Sequence, residues 1–476
     1  MEASLYDLAD LAVERAMRQG ADYADARVRS DWGRAVALRN GSPDPPTSFS
    51  STGIGVRVLV GRSMAFGSTN RLRGDSVEAL VDSLVRVARA ASRLGGVEGL
   101  SREDPSVANW RAAELSRLED LDVREILEGA RSMDSVARSA GPELVNRWIS
   151  LRVSVEEKYL RTSDGSRIIS RVPRIFSFAM LTAKDGLRIV QRAVEMGGSG
   201  GWEIFSRMDF LGRISREASD LLEVLRKAEH EDLSGIDRVI VGPEISGIMA
   251  HESVGHPFEA DRILGREAAQ AGESYLGRDA LGTRIGGPEA FVSDDPTIPG
   301  SYGYYEYDEE GVQARRKRLM VAGVVEELLH NRESARSFGL RSNGSARSSS
   351  YSREPIPRMS NTFVEPGDRT LDELMEEAGR AVLMESYMEW NIDDRRENQR
   401  YVGLKARLIE GGRPGKLIYN PVLEVTTKRL WSGIVARGKE VEFFPGTCGK
   451  GEPMQGVPVW FGGPYMLVEG VSLRRR

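Results

Sequence analysis

The stretch WISLRVSVEEKYLRTSDGSRII, residues 148–169, contains the clearest β pattern in the chain. Apolar and polar residues alternate along its first half, as they do in a strand that buries one face. A second apolar run follows at the end of the stretch. The pattern therefore predicts two consecutive strands, and it sets the frame for the elements on either side.

A similar order of elements occurs twice in the first half of the chain. Over 22–92, ADARVRS and RAVALRN predict two strands joined by a hairpin-like connection at DWG, and GIGVRVLVG predicts a third. GDSVEALVDSLVRVARAAS then has the apolar spacing of an amphipathic helix. Over 148–228, the two strands above are followed by a strand in RIFSFAMLTAKDG and a helix in ISREASDLLEVLRKAEH. The recurrence predicts a duplicated α+β unit.

The predicted fold class is α+β, with the duplicated α+β domain at residues 1–235 and a mostly β domain at 236–476. The polar segment EDLSGID marks the boundary. The second domain carries the active-site helix, which follows the short strand RVIVG, and a further helix that begins with a capping box from Thr370 to Glu373. The Ser-rich stretch 341–352 has few apolar residues and predicts a mobile loop.

Composition excludes some classes of protein. The net charge of −5 argues against a protein built mainly to hold nucleic acid, since phosphates demand a basic face. The start of the chain lacks the pattern of a signal peptide, and no run approaches the roughly 18 apolar residues of a membrane span. Cys448 is the single cysteine, which fits a reducing compartment. We expect a cytoplasmic protein with no membrane or nucleic-acid partner.

The motif AHESVGHP at 250–257 points to a metal site. His251 and His256 are five apart, so on an ideal α-helix their side chains would diverge by about 140° and could not share an ion. A π-type bulge would bring them into line. Alternatively, Gly255 ends the helix and Pro257 prevents its continuation. Either way the spacing predicts a distorted helix end.

Local pattern leaves several candidates for the remaining members of such a site. Glu252 lies about 100° from its neighbour around the helix, where it can act as a general base rather than as a ligand. A catalytic zinc usually has three protein ligands and one open position. The candidates for the third ligand are Cys448, Glu259, Asp261, His230 and His330. Cys448 lies in a glycine-rich loop, and a thiolate is a strong zinc ligand.

The chain resembles the TldD/PmbA metallopeptidases, specifically the TldD-like branch. The resemblance rests on HESVGHPFEAD (251–261), PIPRMSNTFVEPG (355–367) and TCGKGEPMQGVPV (447–459), with GADYADARV and GIGVRVLVGRSMAFGST near the N-terminus, and it covers most of the chain.

The resemblance implies a zinc protease with a duplicated N-terminal part. The residues it implies are His251 and His256 as ligands, Cys448 as the third ligand and Glu252 as the catalytic glutamate. It also implies a heterodimer with a PmbA-like (TldE-like) paralogue.

Two further residues match a family motif, Arg358 and Asn361, and are predicted to bind substrate. Arg358 could stabilise an oxyanion or bind a peptide carbonyl. The equally weighted alternative is that Arg358 is the hub of a structural hydrogen-bond network.

These observations predict a Zn²⁺-dependent peptidase that hydrolyses short or unfolded peptides through metal-activated water, with a glutamate general base. One alternative is a non-enzymatic regulator of a DNA-associated enzyme, since the resemblance also carries a link to gyrase. The basic clusters ARRKR (314–318) and RRR (474–476) are too short to favour it. Another alternative is a cysteine peptidase that pairs Cys448 with a histidine.

Overall fold

The computed structural model describes residues 4–94, 96–267 and 273–476 of this α+β protein. The elements up to residue 227 are, in chain order, α1 (Ser4–Arg18), β1 (Tyr23–Arg39), β2 (Ser42–Pro43), β3 (Thr47–Val60), β4 (Ser63–Thr69), α2 (Gly74–Ala91), β5 (Val107–Arg111), α3 (Val123–Ser139), β6 (Leu144–Thr162), β7 (Arg167–Asp185), β8 (Arg188–Ser199), α4 (Glu203–Arg207) and α5 (Phe210–Lys227).

These strands form one sheet in the order β4-β3-β1-β6-β7, with β2 on β1 and with β5 and β8 on different parts of β7. Alternate residues of β6, among them Ile149, Leu151 and Val153, are fully buried. They share a core with α3 and α5, whereas α1 and α2 cover β1 and β3 in a second core. Burial of one sheet face under helices therefore explains the alternating pattern.

Two predicted strand breaks are wrong. DWG lies inside the continuous strand β1, where Gly33 is paired with Phe49 on one side and with Ser154 on the other. A Cβ at Gly33 would lie 2.2 Å from the ring of Phe49, so this glycine provides space rather than a turn. Similarly, the apolar run that ends at Ile169 and the run RIFSFAMLTAKDG belong to one strand, β7.

The remaining elements are mostly short strands. They are β9 (Arg238–Val241), α6 (Pro243–Ala250), α7 (Ala260–Ile263), β10 (Val292–Asp294), β11 (Lys317–Val321), β12 (Val324–Val325), α8 (Arg332–Ser337), β13 (Ala346–Arg347), β14 (Ile356–Pro357), β15 (Asn361–Val364), α9 (Leu371–Ala378), β16 (Ala381–Met384), β17 (Tyr387–Ile392), β18 (Asn398–Gly403), β19 (Ala406–Glu410), β20 (Arg413–Leu417), β21 (Pro421–Thr426), α10 (Thr427–Ser432), β22 (Ile434–Arg437), β23 (Glu442–Lys450), β24 (Gln455–Gly463), β25 (Met466–Glu469) and β26 (Ser472–Arg475).

They form further sheets in the orders β12-β11-β10-β15-β24-β23, β20-β19-β16-β9-β25-β22 and β17-β18-β21-β26, and the pair β13-β14. Helix α6 packs directly on β24, because a Cβ at Gly247 would lie only 2.5 Å from the backbone nitrogen of Gly462. This close approach brings the end of α6 beside β23, the partner of β24. The part of the chain that the structure describes contains no helix long and apolar enough to cross a membrane.

The Ser-rich stretch differs from its prediction. Residues 342–348 are buried rather than exposed, and Arg347 donates hydrogen bonds to the carbonyl oxygens of Met359 (2.6 Å) and Pro458 (2.7 Å). Ser348 accepts a hydrogen bond from Arg27 of β1 (2.8 Å). The segment is held by polar contacts with distant parts of the chain, which its composition does not reveal.

Candidate metal centre

The helix that carries the two histidines ends in a π turn over His251–Gly255. The His256 N–H donates to the His251 carbonyl at 3.1 Å, a bond that spans five residues instead of four. A Cβ at residue 255 would lie 1.9 Å from the sulfur of Met359, so only glycine fits at this position of the turn. The ring centroids of His251 and His256 are consequently 5.1 Å apart. The π bulge, one of the two predicted distortions, is confirmed.

Cys448 completes a cluster with the two histidines. One ligand atom from each of His251, His256 and Cys448 lies within 4.8 Å of the other two, and all three residues are buried. The Cys448 sulfur is 3.4 Å from Nε2 of His256. The chain thus brings together the His-His-Cys set that its sequence predicted, although 192 residues separate His256 from Cys448.

A buried carboxylate orients His256. Nδ1 of His256 lies 3.1 Å from Oε2 of Glu259, which leaves Nε2 directed at the cluster. Burial alone would raise the pKa of Glu259, but Lys450, His256 and Arg262 hold that pKa well below its usual value. An ionised carboxylate behind a ligating imidazole fixes the tautomer and the direction of the ring.

The charges around Cys448 favour the thiolate. Burial alone would raise the pKa of Cys448, but His256 and the guanidinium of Arg358 lower it to about 7. Burial lowers the pKa of His251 and so favours its neutral form. Nδ1 of His251 is buried and has no hydrogen-bond partner among the described residues. Two imidazoles and a thiolate are a suitable donor set for Zn²⁺.

Glu252 lies beside this cluster and is paired with Arg396. Arg396 lies in the loop between β17 and β18. Its Nη1 contacts Oε2 of Glu252, and both side chains are largely buried. Burial alone would raise the pKa of Glu252, but His256 and Arg396 lower it below its usual value. Glu252 is therefore an ionised carboxylate, the form that a general base requires.

The cluster opens into a cavity of about 580 Å³. One wall comes from the π turn and β23, and an adjoining wall comes from residues of β8 and β17. The lining comprises Phe178, Ala193, Glu195, Glu244, Ile248, His251, Glu252, His256, Tyr387, Met388, Trp390, Arg396, Gly446, Thr447, Cys448, Gly449, Val459 and Phe461. The ligand atoms are thus accessible from a space large enough for a segment of peptide.

Arg358 and Asn361 lie behind the cavity and are not among its described lining residues. Arg358 is fully buried and donates to the carbonyl oxygens of Cys448 (2.5 Å) and Gln455 (2.8 Å). Asn361 is also fully buried and donates to the carbonyl of Asp295 (2.6 Å). These contacts favour the structural alternative for Arg358, which holds the hairpin that carries Cys448.

The other candidates for the third ligand lie elsewhere in the network. Asp261 accepts from Nζ of Lys450 at 2.6 Å. His330 is buried beside Ser334, and burial lowers its pKa to about 4. The ring of His230 packs against Tyr419. Glu259, as described above, contacts a histidine instead of joining the cluster.

Sequence reasoning missed Arg396 and Glu195 in the cavity. Arg396 lies in the polar segment DDRREN, where several charged residues are equivalent by pattern. Glu195 is one of the polar residues that alternate with apolar residues along β8, and the pattern gives it the same appearance as a solvent-facing residue. Nothing in their local sequence distinguishes these two residues, because their proximity to the cluster arises from the packing of separate strands.

Comparisons with known proteins agree with this site. Residues 234–475 match the model of the PmbA/TldA metallopeptidase C-terminal domain, 116–226 that of the central domain and 24–92 that of domain 1. A metalloprotease of Methanocaldococcus jannaschii is 27% identical over 452 residues, which are 95% of this chain and 96% of that protein. A zinc metalloprotease TldD homolog of Saccharolobus solfataricus is 24% identical over 366 residues, 76% of this chain and 77% of that protein.

Two solved structures share the fold. A Thermotoga maritima protein described as a modulator of a DNA gyrase has a TM-score of 0.77 at 19% identity, covering 98% of this chain and 99% of that chain. TldE from Thermococcus kodakarensis has a TM-score of 0.75 at 15% identity, covering 99% and 100%.

The family models and the curated relatives, together with the cluster, define a metalloprotease. The chain belongs to the PmbA/TldD metallopeptidase family, and its His-His-Cys cluster indicates the TldD-like branch.

Proposed function

We propose that the chain is a Zn²⁺-dependent peptidase that cleaves short or unfolded peptides. The observation that carries the proposal is the convergence of His251, His256 and Cys448 within 4.8 Å, beside Glu252, on the wall of one cavity. The two histidines and the cysteine would hold the metal, and the unpartnered Nδ1 of His251 fits such a role. Zn²⁺ bound there would supply a Lewis acid that polarises a peptide carbonyl and acidifies water.

The residues of the chain would carry the proton. Glu252 Oε2 is held by Arg396, so its other oxygen remains free to accept a proton from the attacking water. The same carboxyl then donates that proton to the nitrogen of the leaving amine. Glu259 keeps the His256 ring in place through Nδ1, and Arg358 fixes the backbone at Cys448.

The strands around the cavity favour an extended substrate. β23 and β17 are terminal strands of their sheets among the described residues, and both contribute to the cavity lining. An extended peptide can form backbone hydrogen bonds with such an edge, with little selection by side chain. A folded domain cannot present its chain in this way, so we infer that compact domains are spared.

The architecture and partner are part of the proposal. We infer that residues 1–235 form a duplicated α+β domain, since helices flank both strand sets and β1 pairs with β6 between them. Residues 236–476 would form the mostly β domain that carries the active-site helix. We infer a heterodimer with a PmbA-like (TldE-like) subunit in the cytoplasm, and the likeness to TldE supports a shared fold for such a pair.

The deciding experiment offers one polypeptide in a folded and in a destabilised form, with and without the co-expressed paralogue. We expect cleavage of the destabilised form, a rise in activity with the paralogue, and co-purification of both chains. Equal cleavage of both forms by the chain alone would contradict the gated site and the need for a partner. Absence of cleavage under every condition would favour a non-enzymatic regulator.

A cysteine peptidase is the second candidate, because the Cys448 sulfur is 3.4 Å from His256 Nε2 and the thiol pKa is lowered to about 7. A thiolate beside an imidazole is also the arrangement of a nucleophilic cysteine. Removal of metal with a chelator separates the two mechanisms. The metallopeptidase loses activity and recovers it when Zn²⁺ is restored, whereas a cysteine peptidase keeps its activity.

A further inference from the structure

Glu195 lines the same cavity as the metal cluster and lies next to β23. It lies on β8, where it pairs with Phe178 of β7, and both residues line the cavity. Its Oε2 lies 3.7 Å from the point that a Cβ at Gly446 would occupy. Gly446 and Cys448 are on the same face of β23, because alternate residues of a strand share a face and lie about 7 Å apart. The Glu195 carboxylate therefore lies beside β23, about two residues along that strand from Cys448.

The cation whose charge reaches Glu195 from its own strand, Arg192, already has other partners. Among the described residues, the Glu195 carboxylate has no hydrogen bond or ion pair. Arg192 lies three residues earlier on β8, so strand alternation places its side chain on the other face, where other groups engage its donors. Its Nε and Nη2 donate to Glu217, Nη2 also donates to Glu244, and Nη1 donates to the carbonyl of Tyr387.

Burial and a like charge act on this carboxyl together. Burial raises the pKa of Glu195 to about 7; the nearby Glu244 adds to the shift, and the charge of Arg192 opposes it without cancelling it. A carboxyl that is partly desolvated without a partner favours any ligand that supplies the missing positive charge.

The surroundings of Glu195 suit a long cationic side chain. Phe178, Met388, Trp390 and Phe461 line the same cavity and offer apolar surface for an aliphatic stem. Aromatic faces also attract ammonium and guanidinium groups. The cavity thus combines a cationic subsite with the metal cluster.

We propose that Glu195 selects peptides that carry a positive charge close to the scissile bond. The ligand chemistry is an ammonium or guanidinium group, either from a lysine or arginine side chain or from a free α-amino terminus. This inference rests on the proposed peptidase function, in which the peptide occupies the cavity beside Cys448.

The test uses peptides that differ only in charge. One set places lysine at each position in turn, with norleucine at that position as the neutral counterpart. A second set compares a free with an acetylated N-terminus, which separates the two sources of charge. Dissociation constants are measured with Zn²⁺-loaded Glu252→Gln protein, and kcat/KM is measured with the wild type.

We expect the charged peptide of one pair to bind roughly tenfold more tightly than its neutral counterpart. Glu195→Gln, introduced in both backgrounds, should reduce this ratio to about two or less, and Glu195→Asp should retain part of it. Glu442→Gln is the matched control, because Glu442 lies on β23 with a side chain that is 56% exposed. That variant should keep the full ratio.

The outcomes separate this inference from the peptidase function. Equal binding of charged and neutral peptides in every pair, or a preference that survives both Glu195 variants, would overturn the role of Glu195. A charge preference in binding without cleavage by the wild type would support the subsite and contradict the peptidase. Cleavage of all peptides with equal kcat/KM would support the peptidase and contradict the subsite.

Discussion

The two walls of the cavity differ in how their polar groups are satisfied. In the catalytic wall, defined by His251, Glu252, His256 and Cys448, protein partners hold the side chains of Glu252 and His256 and the backbone of Cys448. The recognition wall, defined by Glu195, Tyr387, Met388 and Trp390, contains a carboxylate without a partner among the described residues.

Under the proposed function, this difference fits different tasks for the two walls. Ligands and bases must be held in one geometry, so their supporting hydrogen bonds have to be made within the protein. A surface that binds substrate keeps polar groups available for the ligand. Arg396 is in neither set of residues, but it connects the two walls. Its loop follows β17, and its side chain contacts Glu252.

The largest effect on the catalytic wall should come from Cys448→Ser. A neutral hydroxyl is a poor substitute for a thiolate, so the protein should lose most of its metal and its activity should fall to background. Elemental analysis of the purified variant, beside the wild type with about one zinc per chain, measures the loss. Full zinc content in Cys448→Ser would mean that another residue is the third ligand.

Glu252→Gln should separate chemistry from metal binding on the same wall. The variant should retain the metal, while peptide hydrolysis falls by about 10²-fold or more, the scale of a lost acid–base group. Glu442→Gln makes the same chemical change on an exposed part of β23 and should leave activity unaltered. If the metal is lost together with activity, Glu252 is a ligand or a structural residue.

Glu259→Gln tests the support behind the wall. Because Glu259 orients His256 through Nδ1, zinc affinity should fall by about 10- to 100-fold, as measured by competition with a chelator. Asp261→Asn is the control, since Asp261 also contacts Lys450 but makes no contact with the histidine. An equal loss in both variants would assign the effect to the Lys450 charge instead.

Arg396→Ala should produce the smallest effect, on the connection between the walls. Loss of its contact with Glu252 should lower kcat about fivefold with little change in KM, which corresponds to the net contribution of one hydrogen bond, about 1 kcal/mol. Arg396→Lys should restore part of kcat, and Arg395→Ala, at an exposed neighbouring position, should match the wild type. A rise in KM alone would place Arg396 in substrate binding.

Local pattern predicted the helix ends well. The capping box at Thr370 is confirmed, with Glu373 N–H donating to the Thr370 hydroxyl at 3.2 Å. The distorted turn between His251 and His256 is confirmed for the same reason, since both depend on contacts within about one helical turn. Such short-range geometry is encoded by neighbouring residues.

Strand length was predicted less well. DWG resembles a turn, but β1 continues through Gly33 because β3 and β6 pair with it on both sides. The Ser-rich segment is buried because Arg27 and Arg29 of β1 bond to Ser348. In both cases long-range pairing overrides a local preference.

The sequence by itself determined which residues can form the metal cluster, since scarce histidines at an unusual spacing and a single cysteine leave few ligands of that chemistry. It also determined that the helix end must be distorted. Only the tertiary structure decided which acid serves which role. Glu259 contacts His256, Glu252 lines the cavity with Arg396, and Glu195 lines it from β8. Carboxylates are chemically alike in sequence, and their roles follow from distances set by the packing of separate sheets.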